Sequence, residues 1–196
     1  MQHDERGEYM PLPEKKIYTI EDIYALPDGE RAELIDGQIY YMAPPSTTHQ
    51  RVLNYLSTEI NLYIRSRDGK CEVFPAPFSV FPEIESDGMG KYLEPDISII
   101  CDKDKLDEKG CHGGPDWIIE IVSPASKRMD YYTKLSIYRA AGVREYWIVD
   151  TMRESVTVYD MENDAAPVIY HFTDNVKVNI YSDFVIDFAG VADLIN

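Results

Sequence analysis

The sequence is short of the residues that would tie it to several large functional classes. Its three cysteines, Cys71, Cys101 and Cys111, are odd in number and form no CxxC pair. Neither a disulfide framework nor a structural zinc site is indicated, and the expectation is reduced thiols. Cys111-His112 could supply half of a soft-metal site, but no second half lies near it in the sequence. No apolar run approaches the ~20 residues needed to cross a bilayer. Met1–Lys16 carries acidic residues and no apolar core, so it reads as a mobile polar tail rather than a secretory leader. Basic residues are scarce as well: 19 lysines and arginines face 35 aspartates and glutamates, a net charge of −16. That excludes a protein whose whole surface clings to nucleic acid through counterion release, although a local basic groove stays compatible with it. The expectation is a soluble, cytoplasmic protein.

What the chain does have is enough apolar material for one full core, at 44% hydrophobic and 12% aromatic residues over 196 positions. A single domain over residues 17–196 follows, behind the tail at 1–16. Thr19 followed by Asp22 suggests a capping box that opens a short helix closed by Pro27-Asp28-Gly29. Asp36-Gly37 between Arg31–Ile35 and Gln38–Met42 is a hairpin signal. Val52, Leu53, Leu56, Ile60, Tyr63 and Ile64 recur at three- and four-residue spacing, which predicts an amphipathic helix from Thr47 to about Ser66. Cys71–Phe81 reads as a strand confined by Pro75 and Pro77 to an edge or a bulge. Residues 82–92 read as an acidic loop that returns the chain antiparallel. Further on, Ser126 is placed to cap a helix ended by Gly142, and Arg144–Asp150 reads as a strand parallel to the one before that helix. Ser155–Tyr159, Val168–Phe172 and Phe184–Ile186 are the remaining strands, with a helical turn over Val191–Ile195. Asp102–Asp116, charged and without periodicity, reads as a surface loop near the carboxylates described next. The architecture is α/β with a mixed central sheet flanked by helices.

The chemistry concentrates between Glu94 and Lys134. Glu94-Pro95-Asp96 leads into the strand Ile97–Ile100, and Trp117–Val122 is an apolar run carrying Glu120 in its middle. A carboxylate inside an apolar strand is costly to bury unpaired, and a metal ion or an opposite charge is the usual compensation. Side by side, Asp96 and Glu120 would hold a hard divalent cation, with the Ile121 carbonyl as a further oxygen donor. Lys134 shares the apolar face of the next helix with Tyr131 and Tyr138, from which its ammonium could reach back to the strand ends. Its bland alternative is a helix pair with Asp130.

Glu33-Leu34-Ile35-Asp36-Gly37, Glu94-Pro95-Asp96, Glu120-Ile121-Val122-Ser123-Pro124, Lys134 and Gly142–Asp150, in that order, resemble the Uma-two family of "putative restriction endonucleases" in the PD-(D/E)XK nuclease superfamily. The likeness runs over about residues 17–160. It implies a restriction-endonuclease-like core, Mg²⁺-dependent hydrolysis of DNA phosphodiesters (Mn²⁺ as substitute) and homodimers. Asp96 matches the Asp of the Pro-Asp element, Glu120 the second acidic residue, and Glu33 an extra acidic residue that assists metal binding. The superfamily lysine falls at Val122, which cannot replace it. Lys134 on the following helix is the substitute the resemblance suggests, with Lys127 as the other contender.

Three further residues carry two readings each. His49 is either a surface residue at the start of the long helix or a neighbour of the site. Ser123 either contacts phosphate or forms a turn, and Asp150 either satisfies a turn or acts in catalysis. Two alternatives to the nuclease stand beside it. The first is a catalytically inactive nuclease-fold binding or assembly module, suggested by Val122 and the acidic charge. The second uses Asp96 and Glu120 as the acid and base of a glycoside hydrolase, for which no dense aromatic cluster is visible beside the pair.

Overall fold

The computed structural model describes residues 16–82, 90–124 and 126–195. The expected tail, apart from Lys16, and most of the acidic loop at 82–92 lie outside the described residues. Asp22 accepts a hydrogen bond from the Thr19 N–H at 2.9 Å and opens α1 (Ile20–Tyr24), as a capping box with Asp in place of Glu should. A hairpin follows, β1 (Ala32–Ile35) with β2 (Gln38–Tyr41). Its two-residue turn has Asp36 at φ 48° and Gly37 at φ 69°. Two consecutive positive φ values match the right-handed twist of the flanking strands, which is why Asp-Gly sits there.

α2 (Thr47–Ser66) is capped by the Ser46 hydroxyl, which accepts from the His49 N–H. It buries the predicted face of Val52, Leu53, Leu56, Ile60 and Ile64, each contributing on the order of 1.5–3 kcal/mol. These side chains cover one side of a six-stranded sheet in the order β11-β10-β9-β8-β5-β3. Its members are β3 (Glu72–Pro75), β5 (Ile97–Ile100), β8 (Trp117–Val122), β9 (Glu145–Asp150), β10 (Ser155–Asp160) and β11 (Val168–His171). β3 lies at the edge, the place its proline allows. Only β8 and β9 run parallel, and the chain between them crosses over as a helix. That helix covers the opposite face, where Ile118, Val122, Ile137, Tyr138, Tyr146 and Ile148 form a second apolar layer. A mixed sheet packed between helices is the expected class.

Several local expectations are corrected. Asp102–Asp116 is not a plain loop: after a 3₁₀ turn it forms the hairpin β6 (Leu106–Asp107) and β7 (Gly110–His112). β7 pairs parallel with β4 (Val80–Phe81) in a small separate sheet. Gly110 is required there, because a Cβ on it would stand 2.2 Å from the Ser79 carbonyl oxygen. Nor does this segment approach the carboxylates. It departs from the far end of β5, about 13 Å along a four-residue strand from Asp96. Cys71 and Cys101, expected as reduced thiols, are joined in a disulfide next to the β3–β5 pair Glu72↔Ile100. Cys111 is free and buried, and burial pushes its thiol up to about 11. β12 (Asn175–Lys177), which carries too few apolar residues to stand out, pairs with β13 (Val185–Asp187) ahead of α4 (Ala189–Ile195). No helix among the described residues is long and apolar enough to cross a membrane.

Candidate active site

Strand register brings the two acidic elements together. β5 runs antiparallel to β8 with Ile97 opposite Ile119 and Ser98 opposite Ile118, so the next step outward sets Asp96 opposite Glu120. The Ile121 N–H donates to Asp96 Oδ2 at 2.7 Å, and the Asp96 N–H points at Glu120 Oε2 at 3.4 Å. A strand residue's N–H and C=O leave the chain on the same side, so the Ile121 carbonyl also faces the Asp96 edge. Alternation along β8 turns Ile118, Glu120 and Val122 toward the crossover helix. Val122 packs in the apolar layer with Ile137, Tyr138 and Val143.

The crossover begins with a turn that Ser123 holds. Its hydroxyl accepts from the Ser126 N–H at 3.2 Å and its carbonyl from the Lys127 N–H at 3.1 Å. Ser123 therefore forms the turn, and the capping expected of Ser126 falls to it. Met129–Lys134 then winds as a π-helix before α3 (Leu135–Ala140). Such a segment accommodates an extra residue per turn and is frequent at functional sites. Here Asp130, Lys134 and Tyr138 are all buried. Lys134 Nζ lies 2.8 Å from Glu33 Oε1, 3.0 Å from Glu120 Oε1 and 3.5 Å from Asp130 Oδ1. The helix pair with Asp130 is thus the longest of three contacts. The Tyr138 hydroxyl donates to the same Glu120 oxygen at 2.8 Å. Glu33 reaches the site from β1 and also accepts from the Glu94 N–H at 3.1 Å.

Electrostatics at this point are dominated by acidic groups. Burial pushes the Glu120 carboxyl well above the ordinary range. Lys134 opposes that shift, while Asp130, Asp96 and Glu33 add to it. Asp130 is raised by burial in the same way. For Lys134, burial favours loss of its proton, but Glu120, Glu33 and Asp130 outweigh it and hold the ammonium well above an ordinary lysine. Lys134 is therefore a fixed positive charge at neutral pH and not a base. Burial, with the neighbouring Glu120, likewise keeps Tyr138 a phenol donor.

Three carboxylates around one lysine, with Asp96 across from Glu120, give a carboxylate-rich set, and hard oxygen ligands of this kind suit a divalent cation. Among the described residues no three His, Cys, Asp or Glu side chains are spaced to ligate one ion. What the chain offers is two carboxylates, with Glu120 Oε2 free of Lys134 and Tyr138, together with a main-chain carbonyl. Mg²⁺ is commonly held by one or two carboxylates and keeps several waters.

The pair borders a cleft of about 630 Å³ between the β2–α2 connection and the start of the crossover helix. His49, weighed as a surface residue, belongs to this site: its Nε2 lies 3.0 Å from Asp96 Oδ1 and its side chain is 17% exposed. The readable signal was Ser46, whose cap fixes the end of α2 that carries His49. Tyr138 was legible as the residue one turn beyond Lys134, but its hydroxyl contact was not. Lys127 stays outside the cluster, paired with Asp150 at 2.5 Å. Asp150 closes a turn by accepting from the Met152 and Arg153 N–H groups. His112 contacts Asp107 on the separate hairpin, so Cys111-His112 has no part here.

Known proteins are similar to this chain in sequence or in fold. The family model described as "Uma2: Putative restriction endonuclease" matches residues 20–189. The uncharacterized protein slr1290 of Synechocystis sp. is 24% identical over 155 residues, covering 78% of each chain. A second uncharacterized Synechocystis protein, sll1609, is 27% identical over 139 residues, covering 69% of this chain and 75% of its own. Among solved structures, a "putative nuclease belonging to DUF820" from Anabaena variabilis superposes with a TM-score of 0.73 at 19% identity. It covers 91% of this chain and 99% of its own.

Proposed function

This chain belongs to the Uma2 family, and from that premise we propose that it is a metal-dependent endonuclease hydrolysing DNA phosphodiester bonds at the Asp96–Glu120–Lys134 cluster. The observation that carries the reading is the convergence of an amine from the crossover helix on the carboxylate of the middle strand, with Asp96 directly across from that carboxylate. A lysine displaced from the strand position now held by Val122 reaches the same place by another route.

Asp96, Glu120 and the Ile121 carbonyl are the groups that would hold Mg²⁺ or Mn²⁺, which when bound lowers the pKa of a coordinated water and offsets phosphate charge. Glu33 anchors the ammonium of Lys134. Lys134 and Tyr138 together fix one oxygen of Glu120, leaving the other turned toward Asp96. His49 orients Asp96 from the end of α2. With its proton held, Lys134 contributes positive charge toward the developing phosphate charge rather than accepting a proton. On this reading the working form is a homodimer of single-domain chains acting in the cytoplasm, its mass measurable by light scattering.

Purified protein with Mg²⁺ or Mn²⁺ is expected to nick or cut DNA. Asp96→Asn, which keeps an acceptor for the Ile121 N–H, is expected to reduce cleavage to background with an unchanged melting temperature. Undiminished cleavage by that variant would remove Asp96 from the mechanism. A second reading, a binding module on a nuclease scaffold, is favoured by one observation: Val122 is locked into apolar packing where the superfamily carries its lysine. Calorimetric titration separates the two, since the absence of divalent-cation binding at millimolar concentration supports the module.

A further inference from the structure

Two tyrosines stand at the mouth of the acidic cleft. In the β1–β2 register Tyr40 is directly opposite Glu33. Residues so paired share a face, with Cβ atoms about 4.5–5.5 Å apart. Tyr40 therefore borders the carboxylate that holds Lys134. Tyr40 and Tyr41 both line the cleft and are 40% and 66% exposed. Neither ring meets another aromatic ring among the described residues, whereas Tyr63, Tyr92, Tyr138 and Tyr146 each do. The end of β2 thus presents two unstacked, solvent-exposed rings beside a cluster of carboxylates.

The cations point the same way. Among the described residues, Arg31 and Lys134 are the arginine and lysine that line the cleft. Arg31 donates to Glu94 at 2.8 and 2.5 Å, and Lys134 is enclosed by Glu33, Glu120 and Asp130. Both are held in ion pairs, so neither is left over to grip phosphates away from the reacting one. Duplex DNA is held first through its phosphates, by lysines and arginines that displace counterions. An unpaired strand can instead be held by aromatic faces on which successive bases stack, an interaction that needs no charge. A cleft of about 630 Å³ is also of the size that encloses one small ligand rather than a double helix.

We propose, resting on the nuclease reading, that the substrate is DNA with unpaired nucleotides, whose bases stack on Tyr40 and Tyr41 while the adjoining phosphate enters the cleft beside Asp96 and Glu120. Specificity for the unpaired form then comes from the rings, and the acidic cluster does chemistry without contributing to capture.

Fluorescence anisotropy with a short labelled single strand, and with the same strand annealed to its complement, tests the proposal in Ca²⁺; cleavage is followed in parallel with Mn²⁺. The single strand is expected to bind tighter. Tyr40→Ala and Tyr41→Ala should each weaken it by about 5- to 150-fold, the range measured for base–aromatic stacking. Tyr40→Phe and Tyr41→Phe should keep the affinity, and all four variants should melt with the wild type because the rings are exposed. Tyrosine-dependent capture of the single strand without cleavage would support this inference and overturn the nuclease reading. Equal cutting of duplex and single strand, indifferent to both alanine variants, would overturn the inference and leave the nuclease reading intact. Failure to bind the single strand also overturns it.

Discussion

Lys134→Met isolates the energetic role of the buried amine. The substitution keeps most of the stem volume and removes one positive charge that lies within 3.5 Å of Glu33, Glu120 and Asp130. All four side chains are buried, so water cannot take over from the amine. Breaking a buried ion pair from one side costs about 3–5 kcal/mol. With about 2–4 °C lost per kcal/mol in a domain of this size, the melting temperature should fall by about 6–20 °C at pH 7.5. The loss has a built-in relief, because the stranded carboxylates can take up a proton. It should therefore shrink at pH 5, and it should shrink at pH 7.5 when Glu120→Gln is added to the same chain. The assay is guanidinium unfolding of wild type, both single variants and the double variant at the two pH values, read as a coupling energy. A Lys134→Met variant within about 1 kcal/mol of wild type at pH 7.5 would show that the amine neutralises nothing. A double variant no better than the single would refute the assignment of Glu120 as its partner.

Two further outcomes follow from the same structure. Burial holds the protons of Glu120 and Asp130 above the pH at which the unfolded chain releases them. Their contribution is then fully present below the unfolded value and is lost as pH rises through the raised folded values. The metal-free protein should lose stability relative to Glu120→Gln as pH rises above the unfolded carboxylate range, and the melting-temperature gain from Mn²⁺ should grow with that rise and vanish with a chelator; a gain that falls with pH refutes this. At the far end of β9, Glu145 is buried with donors from Trp147 Nε1, the Asn179 N–H and amide, and the Ile180 N–H. Glu145→Ala leaves these donors without their acceptor and should cost about 3 kcal/mol or more. Hydrogen exchange should show the Asn179 and Ile180 amides unprotected, and full protection in the variant would count against the contact.

Much of this molecule was legible from periodicity and punctuation. Asp-Gly with apolar flanks fixed the first hairpin, the three- and four-residue spacing from Val52 to Ile64 fixed α2, and Gly142 marked the end of the crossover at φ 78°. These are local signals, decided by a few neighbouring residues. What stayed hidden depended on distant partners. β7 exists because the two-residue β4, well upstream, offers it a parallel edge. The Cys71–Cys101 bond depends on the β3–β5 register, which spacing alone does not show. In the site, Asp96, Glu120, Lys134 and Glu33 were each identifiable as charges in apolar or motif contexts, and the structure gathers all four. His49 was legible only in part: Ser46 marks the end of α2 that carries it, but which of its two readings holds is set by how α2 lies on the sheet. Lys127 and Lys134 were separable only by orientation, and the π-helical winding that precedes α3 has no signature in composition.

The lone parallel pair in the sheet has a consequence for how the cluster tolerates change. Since β8 and β9 run the same way, the chain must travel back over the sheet between them, and the amine rides on that return path instead of on the strand that bears its partner. Its aim is governed by the thickness of the apolar layer beneath the helix, where Ile118, Tyr146 and Ile148 lie. Because a close-packed layer feels a change of even one methylene, a substitution there is expected to shift the lysine without touching the cluster. The geometry of the cluster can thus be altered by residues that never touch it, through misalignment of an arm mounted on its greasy underside.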